Sequence, residues 1–289
     1  MTIAVVGATG NTGRAVVKEL KQLGQDAICI VRNAEKAREV LGADAKTAVA
    51  ELTDRAALDK ALKGVTSVFV VTGHNPGMVE QQNNVLDAAL AGGAQYLVRV
   101  TGARALVTPD SESVIGRGHA AIEKRLRESG IKWVILRPGL FMQNTLVAAA
   151  SIKNDGKIVQ PFAADLPLAF VDVRDTGAVG ARILADPAPH AGKTYEFTGA
   201  LTSYPAFAEL LSQALGRKIT YVALTPEQNA EAMKARGMPD WLIAHVRTIA
   251  GIAADGGLST AKTGPIEEIV KRAPLTTRQF VEDYKAAFA

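Results

Sequence analysis

A strand-like run at the start of the chain, Thr2-Ile-Ala-Val-Val6, breaks into Gly7-Ala-Thr-Gly10-Asn-Thr-Gly13 and then into the helical pattern Arg14-Ala-Val-Val-Lys-Glu-Leu20. Three glycines placed between a strand and a helix have the form of a dinucleotide-binding turn. Gly7 permits the tight turn, Gly10 lets the backbone approach a pyrophosphate, and Gly13 lets helix and strand pack closely. The helix N-terminus adds free N–H groups and the positive end of its dipole. With the polar residues between the glycines, the expected cofactor-binding set begins as Gly7, Thr9, Gly10, Asn11, Thr12 and Gly13.

Alternation follows the turn. Strand-like runs recur at 2–6, 27–31, 45–49, 67–71, 96–101 and 132–137, and apolar residues at helical spacing fill the gaps at 12–23, 34–41, 55–62, 77–91 and 116–128. A chain that alternates in this way forms a doubly wound α/β fold, a Rossmann-like parallel sheet with helices on both faces, and binds ligands beyond the carboxyl ends of its strands. Thr72-Gly73-His74, Thr101-Gly102-Ala103 and Pro138-Gly139-Leu140 are therefore the loops of interest.

After Arg137 the rhythm changes: an irregular stretch at 155–168, a strand at 169–173, a helix at 175–184 and a strand at 194–198. A helix at 204–215, a strand at 219–222 and several closing helices complete the chain. This divides it into a dinucleotide-binding core, 1–150, with a sheet-completing segment around 169–198, and a smaller substrate lobe, 151–289. No Ser- or Pro-rich linker separates the two.

Composition excludes some classes. The run from Val65 to Val71 is interrupted by Thr66 and Ser67, and nothing approaches the roughly 20 apolar residues of a membrane span. No basic, apolar and cleavage segments occur in order near the start, so the expectation is a cytoplasmic protein beginning at or near Met1. The formal net charge is +4, but the 33 Lys and Arg are scattered without basic blocks or interleaved aromatics, which argues against nucleic acid and suits an anionic dinucleotide. One cysteine, Cys29, excludes an internal disulfide and reads as a packed thiol in an apolar run. There is no His-Glu-x-x-His and no paired cysteine, hence no expected metal.

The second strand ends in Val31-Arg32-Asn33, with Lys36 a turn later and no Asp or Glu at the junction. An acid there favours a ribose 2′-hydroxyl and an arginine a 2′-phosphate, so NADP(H) is expected over NAD(H). The alternative is a solvated Arg at a helix start.

The chain resembles the NmrA-like branch of the atypical short-chain dehydrogenases/reductases nearly end to end. The resemblance rests on Val6-Gly-Ala-Thr-Gly-Asn-Thr-Gly13, Val31-Arg-Asn33, Ala61-Leu-Lys-Gly-Val65, Asn84-Val-Leu-Asp-Ala-Ala89, His119-Ala-Ala-Ile-Glu-Lys124, Ile135-Leu-Arg-Pro-Gly139, Phe170-Val-Asp-Val-Arg-Asp175 and Gln279-Phe-Val-Glu-Asp283. It implies NADP on the glycine turn, Arg32 and Lys36 near the 2′-phosphate, and a substrate cleft between core and C-terminal lobe. Members of the wider superfamily reduce carbonyls with a Tyr and a Lys four residues later. None of Tyr96, Tyr195, Tyr204, Tyr221 and Tyr284 has such a Lys. His119 stands at the Tyr position and Glu123 at the Lys position, on one helix face.

The candidate catalytic set is therefore His119, oriented by Glu123, with Thr101 ending the fifth strand. His119 and Glu123 equally suit a pair that only shapes the pocket, and Thr101 a plain strand end. Thr72, Gly73 and His74 are expected near the nicotinamide ribose, and Pro138, Gly139, Phe141 and Met142 as walls, the last two equally as core. His190 and His245 read as structural residues far from these motifs. Two functions remain: an NADPH-dependent reductase of quinones or similar small-molecule acceptors, and a non-catalytic redox sensor acting through a regulatory protein partner. A homodimer is compatible with either, while a sugar-nucleotide epimerase is disfavoured by the absent Tyr/Lys pair.

Overall fold

The computed structural model describes residues 1–199 and 201–289. Its first half alternates strand and helix as β1 (Ile3–Val6), α1 (Asn11–Gln22), β2 (Ala27–Val31), α2 (Ala34–Leu41), β3 (Thr47–Val49), α3 (Arg55–Ala61), β4 (Ser67–Val70), α4 (Met78–Ala91), β5 (Tyr96–Val100), α5 (Val114–Glu128) and β6 (Lys132–Pro138). The short β7 (Leu140–Phe141), a 3₁₀ turn, α6 (Ala149–Asp155), β8 (Lys157–Gln160), β9 (Leu168–Val171), α7 (Val173–Ala185) and β10 (Lys193–Phe197) follow. The chain ends with β11 (Leu201–Thr202), α8 (Tyr204–Leu215), β12 (Thr220–Ala223), α9 (Pro226–Ala235), α10 (Asp240–Ala254), α11 (Gly264–Val270) and α12 (Thr277–Phe288).

Seven strands form one parallel sheet in the order β10-β6-β5-β4-β1-β2-β3. Helices cover both faces, so Ile3 and Val5 enter one apolar core while Ala4 and Val6 enter the other. Strands buried on both faces read as continuous apolar runs rather than as alternation. Strand order reverses between β1 and β4, and the crevice beyond their carboxyl ends is where a doubly wound sheet binds ligands.

The segment around 169–198 departs from expectation. Only β10 joins the main sheet, while β9 lies in a second sheet of order β11-β9-β7. The helix after β9 begins at Val173, because the Asp172 carboxylate accepts from Arg174 N and caps it. Within the stretch read as irregular, β8 forms by pairing with β12 far along the chain. A third core, including Met142, Phe170, Phe207 and Phe280, holds the C-terminal half together.

Most helices start with a side-chain cap that satisfies a free N–H group: Asn33 for α2, Asp54 for α3, Ser113 for α5, Ser203 for α8 and Thr276 for α12. α1 does not. Its N-cap is Gly10, and no side-chain cap bonds to the amides of its first turn.

Candidate active site

The glycine turn is fixed by packing. Gly7 has a φ of 79°, and a Cβ there would strike the Val71 carbonyl; a Cβ at Gly13 would strike the carbonyl of Gly7. At Gly10 an added Cβ would meet only the Gly7 oxygen, at 3.4 Å, and otherwise extend into open space. Gly10 N donates to Gly7 O at 3.0 Å and closes the turn. The amides of Asn11, Thr12 and Gly13 thus begin a helix with no acceptor of their own, at the positive end of its dipole.

These amides face a cleft of about 600 Å³. Gly7 and Thr9 to Gly13 line its centre, Arg32 one end, and Thr72, Gly73 and His74 the other. Phe141, Gln143 and Asn144 also line it. Gln143 is held by Asp172, to which its Nε2 donates at 2.9 Å, and by Val173 N, which donates to its Oε1 at 3.0 Å.

Two expected cofactor contacts are not on this wall. Lys36 donates its backbone N–H to the Asn33 cap at 2.9 Å, and its exposed side chain does not line the cleft. Pro138 is buried at the end of β6 and lines a separate cavity of about 240 Å³ with Arg104, Gly139 and Thr198. Thr101 is also off the wall, 7% exposed, with its hydroxyl donating at 3.4 Å to the Gly102 carbonyl. Phe141 faces the cleft, whereas Met142 belongs to the C-terminal core.

His119 and Glu123 do not pair as expected. The Glu123 carboxylate receives Arg137 Nη2 at 2.5 Å and Nε at 3.1 Å, with Arg127 Nη2 at 3.3 Å. His119 points instead to Arg99, whose Nη2 lies 2.7 Å from its Nδ1. The carboxylate already takes three hydrogen bonds from two guanidiniums, and the imidazole one turn back is engaged by Arg99 instead.

Arg99 is fully buried in β5, and its Nε donates to Gln82 Oε1 at 2.6 Å. Gln82 Nε2 in turn donates to Thr72 Oγ1 at 2.7 Å. Burial pushes the guanidinium down to about 9, so it is still charged at neutral pH. Sequence reading missed this residue, although one charge inside the apolar run Tyr96–Val100 is a visible signal.

His245 is a second correction. It is not remote: Trp241 of α10 packs with Met78, Ile115 and Ile122, and this brings the His245 ring to 5.1 Å from that of His74, at 86°. The His119 ring also meets that of His74, the rings 5.4 Å apart at 76° and Nε2 to Nε2 3.4 Å. Three of the four histidines therefore meet at one end of the cleft; His190 bonds Tyr195 elsewhere.

All three rings are held neutral. Burial, then the Arg99 charge, lowers His74 and takes His119 well below the ordinary range; burial takes His245 to about 4. Among the described residues no group of three His, Cys, Asp or Glu has a metal-binding arrangement, and no helix is long and apolar enough to cross a membrane.

The sequence model of the NmrA-like family matches residues 1–278. An NAD(P)H azoreductase of Xenophilus azovorans is 34% identical over 287 residues, 99% of each chain. Quinone oxidoreductase 2 of Escherichia coli K12 is 31% identical over 271 residues, covering 92% of this chain and 90% of that one. The crystal structure of the Escherichia coli NADPH-dependent quinone oxidoreductase QOR2 complexed with NADPH superposes with a TM-score of 0.84 at 28% identity, over 97% of this chain and 99% of that chain.

Proposed function

The chain belongs to the NmrA-like family, and we propose that it is a reductase that uses NADPH in preference to NADH and passes hydride to a quinone or similar conjugated acceptor. The observation that carries this reading is the uncapped amino end of α1, which opens on the cleft beside Gly10, where the missing side chain leaves room for a pyrophosphate. Backbone donors, helix dipole and close approach all fit that group.

Arg32 follows β2 and lines the cleft, where in this reading its fork takes a 2′-phosphate, and no Asp or Glu ends β2 to favour a free 2′-hydroxyl. The names of the relatives support a nicotinamide-dependent reductase of conjugated acceptors: one is an NAD(P)H azoreductase, another a quinone oxidoreductase.

Bound in this cleft, a reduced nicotinamide would supply the hydride. The contribution of this chain is placement. In this reading the turn fixes the phosphates, and Thr72 to His74, on the β4 side of the turn, border the place where an acceptor would lie. The superfamily Tyr/Lys pair is absent from the sequence. A quinone that has taken hydride is a phenolate with a proton affinity near pKa ~10, so water in an open cleft can protonate it. An ordinary ketone would become an alkoxide, far more basic, and would need the missing acid.

The test is NADPH oxidation by purified protein with benzo- and naphthoquinones, beside NADH and acceptor-free controls. Protein-dependent turnover faster with NADPH is the expected result. Tight NADPH binding with no turnover on any acceptor would overturn the reductase and favour a sensor acting through a protein partner.

A further inference from the structure

The histidine cluster has a definite direction of hydrogen bonding, and it starts from Arg99. A guanidinium only donates, so His119 Nδ1, 2.7 Å from Arg99 Nη2, must accept. The ring is neutral, because burial and the adjacent charge keep its pKa well below the ordinary value. Its one proton is therefore on Nε2. That atom lies 3.4 Å from His74 Nε2, which must then be the acceptor of the next link. A neutral His74 is left with its proton on Nδ1.

His245 buttresses the arrangement from the C-terminal half. Its Nδ1 lies 2.8 Å from Ser113 Oγ, an oxygen that already accepts from Ile115 N at 3.2 Å and Gly116 N at 3.3 Å. The hydroxyl proton is therefore directed at His245, which accepts it and stands edge-on to His74. His74 packs against two imidazoles, while Gln82 ties Arg99 back to Thr72 in the same loop. The His74 ring packs against those of His119 and His245, while the residue as a whole stays open to solvent and lines the cleft; His119 does not line it.

We propose that Arg99 and His119 are positioning residues that lock His74 as its Nδ1–H tautomer, and that this N–H is the hydrogen-bond donor to the oxygen that becomes negative when an acceptor takes hydride. The catalytic half of this statement rests on the reductase reading above; the tautomer lock does not. The chain Arg99–His119–His74 polarises the terminal N–H with the arginine charge, which strengthens it as a donor. His74 keeps its proton throughout. The two electrons reach the quinone as hydride, the phenolate oxygen is stabilised by the N–H, and its proton comes from water, giving the hydroquinone.

Long-range ¹H–¹⁵N spectra of ¹⁵N-labelled protein at neutral pH read the ring nitrogens directly. The expected pattern is a protonated Nδ1 on His74 and a protonated Nε2 on His119, with His74 becoming a tautomer mixture in Arg99→Met. A His74 protonated on Nε2 or already mixed in the unsubstituted protein would overturn the lock, whatever the activity. In turnover, His74→Phe is expected to lower kcat about 100-fold with the KM for NADPH little changed, as for loss of one oxyanion donor. His119→Phe should lower kcat in the same way, and the double variant should be no worse than His74→Phe alone. Additive losses, or an undiminished kcat in His74→Phe, would overturn the catalytic half. Absence of turnover in the unsubstituted protein would sink the reductase reading and that half together, with the lock still judged by the spectra.

Discussion

Glu123 receives both arms of Arg137, Nη2 at 2.5 Å and Nε at 3.1 Å, and holds that guanidinium between α5 and β6 with both side chains almost wholly buried. The pair ties the helix that carries His119 to the strand beside it, and its task is structural. Glu123→Gln leaves a buried cation short of its counter-charge and is expected to cost about 3 kcal/mol. Thermal unfolding measures that loss. The pH profile of turnover is expected to be unchanged, since Glu123 does not touch His119; a displaced profile at unaltered stability would restore it as the partner that orients His119.

The glycines of the first turn are expected to separate by experiment. Gly10→Ala places a methyl group in the open cleft at a backbone conformation alanine accepts, φ −76° and ψ 167°. The melting temperature should hold while the Kd for NADPH rises about tenfold or more, the order of one lost phosphate hydrogen bond to a charged group. Gly13→Ala drives its methyl into the Gly7 carbonyl and should lower the melting temperature even without ligand. Equal effects on stability would mean that Gly10 is a packing glycine as well.

Arg32 decides between cofactors in our reading. Arg32→Ala should weaken NADPH by roughly 10- to 100-fold, as a charge-assisted contact worth about 1.5–3 kcal/mol disappears, and leave NADH within about twofold. Titration calorimetry with both dinucleotides measures this. Parallel losses for the two would assign Arg32 to the shared adenosine half, and unchanged binding of both would make it a solvated surface residue.

Local pattern accounts for what was legible in advance. The runs Ala27–Val31, Ala34–Leu41 and Tyr204–Leu215 occupy the residues expected because each is bounded by its own turn or cap chemistry. β8 was not legible, since Lys157–Gln160 becomes a strand only by pairing with Thr220–Ala223. The site divides in the same way. Gly7 to Gly13 follow from one strand–turn–helix unit and Arg32 from the end of the next strand, and the structure puts Gly7, Thr9 to Gly13 and Arg32 on one cleft. Lys36 does not line that cleft, and Pro138 lines a separate cavity. Arg99 was visible only as an anomalous charge, because Gln82 and His119 lie on different helices. His245 carried no signal at all: its place beside His74 depends on the packing of α10 against α4 and α5.

The same packing makes stability depend on pH. His245 titrates at about 4 when folded, below the ordinary value of about 6.5 it regains on unfolding. Between those values the unfolded chain binds a proton that the folded one refuses, so stability rises with pH across the window and is lost as pH falls from about 6.5 towards 4. The full span for this one group is about 3 kcal/mol. His74 and His119 are also lowered and act in the same direction, whereas the shifted carboxylates are common to both proteins compared. His245→Asn keeps an acceptor for the Ser113 hydroxyl at the Nδ1 position and cannot titrate. Urea unfolding at a series of pH values from 4 to 7.5 should give a shallower acid loss for His245→Asn than for the unsubstituted protein, the two curves converging in slope above about pH 7. Identical slopes throughout would mean that His245 is protonated in the folded protein, and that its contact with His74 gives way in acid before the chain unfolds.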